Sequence, residues 1–286
     1  MANEVAKKPA TGLQAFNQTI TNPSTQKYLQ DVLGERKGSF VNNLTALVAN
    51  NAQLQECVPL TIMFAALKAT ALNLPLENSL GMAYCIPYKN NKDNTTVAQF
   101  QLGYKGFKQL ALRSGQFAVI PNATDIKEGE LKSRNRLTGE CVFEFIEDDT
   151  KRAKAKTIGY ASYFKLLNGA ESTFYMSIEE MEAHALRYSQ TYRSKNDYTK
   201  KSSKWSTDFD DMAKKTVIKL NLSRNAPLSV EMQDAIKADQ SVMYEADKYE
   251  YTDSIEQQMV DAQKAQEVAD KFADFDDVTE KKDGKK

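Results

Sequence analysis

The spacing of apolar residues changes period near residue 82, and this switch limits what the chain can fold into. Upstream, Phe40, Leu44, Leu47 and Val48 recur at helical intervals, as do Ile62, Met63, Ala66, Leu67 and Ala69. Such spacing lays one apolar stripe along a helix. Downstream, Met82-Ala83-Tyr84-Cys85-Ile86-Pro87-Tyr88 reads as a strand, and residues 95–102 alternate as a two-faced strand does. An Asn-rich polar turn at 89–94 joins the two into a hairpin. Helices are expected at 26–33, ended by Gly34, at 39–50, and at 59–72, where Pro59 suits a first turn.

Beyond the hairpin the pattern predicts a helix at 105–114 ending at Gly115, then strands at 117–126, 141–146, 157–166 and 174–176. A helix at 178–188, a polar loop at 189–204, and helices at 205–223 and 229–244 follow. The fold class is therefore α+β, a small antiparallel sheet with a β-hairpin packed on helices. Residues 1–25 are polar and read as a flexible lead-in, 26–245 as the core, and 246–286 as an acidic, largely disordered tail with at most a weak helix at 254–272.

Zero net charge conceals a segregation. Residues 1–100 carry 8 Lys/Arg against 6 Asp/Glu, residues 101–227 carry 22 against 16, and residues 228–286 carry 8 against 16. A basic middle with an acidic end suits a protein that meets polyanions. The acidic end either competes with a polyanion for the basic surface, recruits a basic partner, or simply aids solubility. Cys57, Cys85 and Cys141 have no ligand-like spacing and read as buried, reduced thiols. His184 is the single histidine, which leaves little for a zinc site or a His-based triad. No membrane span or secretory leader is expected.

Three stretches could carry nucleic-acid chemistry. At about 100° per residue, a helix from Tyr104 puts Phe107, Leu110 and Ala111 on its own side, and Lys105, Lys108, Gln109 and Arg113 on the other. Its N-terminal N–H groups suit phosphate, and Gly106 would allow close backbone approach. The same face also fits an ordinary solvated amphipathic helix. In the second stretch, Trp205, Phe209, Met212, Thr216 and Leu220 form a stripe that reads as core. Asp210–Lys214 and Asp211–Lys215 are i,i+4 pairs in the favoured order. Lys219 has no acid at i−4 and is the better phosphate candidate, followed by Lys215, with Lys214 and Arg224 completing the cations of this helix. In the third, Arg187, Tyr188, Tyr192, Arg193, Lys195, Tyr198, Lys200, Lys201 and Lys204 interleave cations with aromatic rings. Cations neutralise phosphates while ring faces stack on bases of any identity, although a plain surface loop has the same composition.

Four blocks together resemble the RecT family of phage single-strand DNA annealing proteins. They are Leu72-Asn73-Leu74-Pro75-Leu76, Ala83-Tyr84-Cys85-Ile86-Pro87-Tyr88, Leu102-Gly103-Tyr104-Lys105-Gly106-Phe107 with Leu112-Arg113-Ser114-Gly115, and Trp205 through Met212-Ala213-Lys214-Lys215-Thr216-Val217-Ile218 to Leu228-Ser229. The resemblance implies a strand–strand–strand–helix core related to Rad52-like proteins. It also implies a homo-oligomer, ring or helical filament, that binds single-stranded DNA and the annealed duplex in the bacterial cytoplasm. Expected partners are a phage 5′→3′ exonuclease and the host single-strand-binding protein, with the acidic tail as the recruiting segment. No membrane partner is implied. No cofactor is expected to be required, and Mg²⁺ is expected at most to modulate DNA binding. The sequence holds no GxxxxGK[ST] phosphate loop, which argues against an ATP-driven motor. A metal-dependent nuclease and a phage structural or scaffold protein are the competing classes. For the nuclease, Asp208, Asp210 and Asp211 would point about 300°, 140° and 240° around a helix from Trp205, which fits ion pairs better than a shared metal.

Overall fold

The computed structural model describes residues 12–77, 79–90, 94–245 and 248–250. The period switch marks a physical boundary. Before it, helices α1 (Leu13–Thr21), α2 (Pro23–Leu33), α3 (Lys37–Ala49), α4 (Ala52–Gln55) and α5 (Pro59–Ala71) pack around Phe16, Ile20, Leu29, Leu44, Val48, Leu54 and Ile62. The expected lead-in at 1–25 thus overlaps two helices. Phe16 and Ile20 are 1% and 2% exposed, and Asn22 caps α2 by accepting the Ser24 N–H at 3.0 Å, with Pro23 in the first turn.

After the switch, β1 (Ala83–Asn90) and β2 (Thr95–Leu102) form the expected hairpin, in register from Ala83↔Leu102 to Asn90↔Thr95. Helix α6 (Tyr104–Ser114) follows and ends at Gly115, whose φ of 65° is left-handed. Phe100, Leu102, Phe107 and Leu110 are at most 1% exposed, and burying side chains of this size stabilises by roughly 1.5–3 kcal/mol each.

The next strands make a second sheet and a ribbon. β3 (Phe117–Lys127) leads to β4 (Leu131–Arg134) and β5 (Cys141–Phe143), which pair only with each other. A short helix α7 (Asp149–Lys154) then leads to β6 (Thr157–Leu166) and β7 (Glu171–Ser177), giving the antiparallel order β3-β6-β7. The expected strand at 141–146 is shorter, and β4 and α7 were not expected. Helix α8 (Ile178–Tyr188) opens with a capping box between Ser177 and Glu180. This strand–strand–strand–helix order interrupts its first two strands with the ribbon and α7, and does not by itself establish kinship with Rad52-like proteins.

The expected loop at 189–204 contains short helices α9 (Gln190–Arg193), α10 (Asp197–Lys201) and α11 (Lys204–Thr207). Ser189, Asn196 and Ser203 each cap one of them. The same small polar residues that read as loop are good helix caps. The helix expected at 205–223 breaks at Asp208, and α12 (Phe209–Asn225) lies across the β3-β6-β7 sheet. Asn221, 0% exposed, bonds to Ser162 on β6 and Ser172 on β7. The helix expected at 229–244 stops early. α13 (Val230–Ala238) gives way to Asp239 and to Gln240 at φ 66°, then β8 (Ser241–Glu245) pairs with β2, and β9 (Lys248–Glu250) pairs with β8. The first sheet is therefore β1-β2-β8-β9, and the class is α+β with small antiparallel sheets on helices. The expected tail helix lies outside the described residues. Among the described residues no helix is long and apolar enough to cross a membrane.

Candidate nucleic-acid interface

The basic stripe of α6 divides into presented and anchored cations. Lys105 is exposed and has no acidic partner among the described residues. Lys108 Nζ donates to Asn122 Oδ1 on β3 at 3.2 Å and lies 5.9 Å from the Tyr104 ring centroid. Gln109 is half-buried beside them. Arg113 is held differently: its guanidinium donates to the Leu72 carbonyl at 2.8 Å and the Asn73 carbonyl at 3.1 Å, capping the end of α5. Gly106 is buried, and a Cβ there would lie 2.2 Å from the Met82 carbonyl oxygen. The close approach it permits is that of β1's leading edge.

The cations of α12 also divide. Lys215, 9% exposed, lies 3.5 Å from Asp239 Oδ1, and Lys219 lies 2.6 Å from Asp239 Oδ2. Asp239 is 2% exposed and also accepts the Leu102 N–H at 2.9 Å, tying α12 to the end of β2. Burial favours its neutral acid, but the two ammoniums and the backbone donor outweigh that and hold its pKa below the usual carboxylate value. Burial outweighs the carboxylate at Lys215 and lowers that ammonium's pKa. The expected pairs Asp210–Lys214 and Asp211–Lys215 do not form. Asp210 accepts the Tyr160 hydroxyl, Asp211 is exposed, and Lys214 is half-buried without an acidic partner among the described residues.

His184 lies half-buried on α8. Its imidazole lies among Tyr188 and Trp205, with centroids at 4.5 and 6.3 Å. Burial lowers its pKa to about 4, and Lys219, Arg224 and Arg187 push in the same direction. The ring is therefore neutral near pH 7, with Arg187 on its own helix and Lys219 and Arg224 on α12. Arg187 lies 5.3 Å over Tyr188, Arg224 5.2 Å over Phe174, and Lys200 5.4 Å over Tyr192. Arg193 donates to the Arg187 carbonyl at 3.4 Å, and Lys195 is exposed. These rings already carry cations, whereas Tyr198 is 84% exposed. Trp205 is core, as its stripe indicated.

The nuclease cluster is dispersed. Asp208 pairs with Lys204 at 2.9 Å and Asp210 faces Tyr160. Among the described residues no group of three or more His, Cys, Asp or Glu could hold a metal. The three thiols are free, and burial pushes Cys57 up to about 12. Sequence reasoning missed Asp239, the counter-ion of two chosen lysines, and Asn122, the partner of Lys108.

Outward cations backed by aromatic rings and packed helices are the surface chemistry of a protein that binds polyanions. The sequence matches the RecT family over residues 38–258, and the chain belongs to that family, whose members are annealing proteins of DNA recombination. It is 39% identical over 241 residues to the uncharacterised protein YqaK of Bacillus subtilis (strain 168), covering 82% of this chain and 78% of that protein. It is 26% identical over 231 residues to protein RecT of Escherichia coli (strain K12), covering 77% of this chain and 78% of that protein.

Proposed function

We propose that this protein binds single-stranded DNA and pairs complementary strands without ATP, acting as a homo-oligomeric ring or helical filament in phage recombination. Family membership over residues 38–258 carries this reading. The span includes α6, α8 and α12, where the presented cations lie. Lys105, Lys108 and Gln109 with Tyr104 would hold one stretch of phosphates, and Arg187, Arg193, Lys195, Lys214 and Arg224 with Tyr192 another. The protein holds the backbone and leaves base edges open. Pairing itself then tests the second strand, and sequence selection comes from the bases. Repeating subunits would add many short matches. No covalent step is required, and Mg²⁺ would act only by screening or bridging phosphates. The acidic C-terminal segment would recruit a 5′→3′ exonuclease or the host single-strand-binding protein in the bacterial cytoplasm.

The test mixes purified protein with complementary dye-labelled oligonucleotides, without nucleotide, in EDTA and then in Mg²⁺. Annealing several-fold faster than the spontaneous rate in both conditions is expected. An unchanged rate would instead favour a scaffold protein, and Mg²⁺-dependent cutting a nuclease.

A further inference from the structure

The β4–β5 ribbon pairs with neither sheet, yet hydrogen bonds hold its root, its flank and its tip. At its root Glu130, with a 0% exposed side chain, accepts Arg152 Nε at 2.7 Å, the Lys127 N–H at 2.7 Å and the Ile146 N–H at 3.3 Å. Further out, Arg134 donates to Glu180 at 3.2 Å and to the Tyr175 carbonyl at 3.3 Å, fixing the ribbon to α8 and β7. At the tip Asn135 Oδ1 accepts the N–H groups of Leu137 and Thr138 at 2.9 and 3.2 Å. The Asn135 N–H donates to the Glu140 carbonyl at 2.8 Å, and Gly139 supplies a φ of 78°. Leu137 is nevertheless 95% exposed. A hydrogen-bonded turn, not a slack loop, holds it in solvent.

Charge separates the ribbon's cations. Residues 131–139 contain Lys132, Arg134 and Arg136 and no acid. Lys132 pairs with Glu144 at 3.1 Å and Arg134 with Glu180. Arg136 has no acidic partner among the described residues, and neither has Arg224. Both line one cavity of about 480 Å³ between the ribbon tip and β7, together with Phe174, Tyr175 and the Arg134–Glu180 ion pair, whose charges cancel and leave the other two guanidiniums as its net charge. Two unneutralised guanidiniums beside one cavity suit a shared anion, and their planar donor forks fit phosphate oxygens.

We propose that the ribbon tip is a DNA-contacting subsite, in which Arg136 and Arg224 hold a backbone phosphate and Leu137 packs on a neighbouring base. This rests on the single-strand binding proposed above and extends it to the ribbon. In duplex DNA, apolar side chains such as leucine, set beside cations, wedge against base faces between steps, and an unstacked base in a single strand exposes the same kind of face. A carboxylate satisfies an arginine as well, so the loss of one phosphate from the salt slope of single-strand binding is what separates DNA from an acidic peptide at this site.

The experiment compares the full-length protein with Arg136→Ala, Arg136→Lys and Leu137→Ser. Labelled oligonucleotide anisotropy across a salt series, annealing rate, melting temperature and sedimentation without DNA are measured. Arg136→Ala should weaken binding several-fold and flatten the salt dependence by about 0.7 in log–log slope, the value for one lost phosphate on single strands. Arg136→Lys should recover part of the affinity, and Leu137→Ser should slow annealing, all at unchanged melting temperature. Wild-type affinity and annealing in Arg136→Ala and Leu137→Ser would overturn the subsite alone. Lost self-association with unchanged DNA affinity would overturn it in favour of a contact between copies. No single-strand binding by the unmodified protein would overturn both this subsite and the reading it rests on.

Discussion

Asp239 serves two lysines at once, and this sets how the basic residues of α12 should be tested. Asp239→Asn would remove the one carboxylate that pairs with Lys215 and Lys219 among the described residues. Breaking a buried pair from one side costs about 3–5 kcal/mol, so urea unfolding of this variant should show a loss of that order. The pH dependence follows from the carboxyl's lowered pKa. Its unfolded-state value is about 4, so its contribution is present above that pH and is lost as pH falls through the lower folded value. Melting temperature of the parent protein should drop below about pH 4, and Asp239→Asn should flatten that drop. A second prediction separates presented from anchored cations. Lys105→Ala and Lys108→Ala should weaken single-strand binding with melting temperature unchanged. Arg113→Ala removes a cap from α5 and Lys219→Ala removes a partner from Asp239, so both should lower melting temperature as well. Anisotropy and thermal unfolding on the same four variants check this directly.

At the scale of elements, α6 is fixed by what its glycine lacks. A methyl on Gly106 would meet the Met82 carbonyl at 2.2 Å and Leu102 Cδ1 at 2.8 Å, and backbone cannot swing away as a side chain can. Overpacking of this kind costs about 1–3 kcal/mol. Gly106→Ala should therefore lower melting temperature, whereas a phosphate-contact role alone would leave stability intact and reduce only affinity. Much of this architecture was legible locally. Alternation at 95–102 and the Asn-rich turn gave the hairpin, and stepping around a helix gave the α6 face. What failed was non-local or sparsely coded. Helix α1 offers only Leu13, Phe16 and Ile20 as large apolar residues, and their burial depends on α3 and α5. Nothing in the run Ala238-Asp239-Gln240-Ser241 signals that Gln240 turns left-handed, because the reason is β2, a strand far upstream. Lys215 and Lys219 find their carboxylate 24 and 20 residues away, past the reach of any i,i+4 rule.

For the whole molecule, charge segregation matters more than the zero sum. The excess of cations in residues 101–227 is opposed by an equal or larger excess of acids from residue 228 onward. Acids carried on the same chain can compete with DNA for those cations. Such competition is long-range and weak, so ionic strength should govern it. The screening length is about 10 Å at 0.1 M salt and about 30 Å at 0.01 M. Neutralising Asp270, Asp274, Asp276 and Asp277 to Asn should therefore tighten single-strand binding most at low salt, with the gain shrinking as salt rises. Anisotropy at 20, 50 and 200 mM salt (roughly spanning that screening range) would measure the gain. If the acidic segment serves recruitment alone, the four substitutions should leave affinity for DNA unchanged at every salt concentration and weaken only the capture of a basic protein partner.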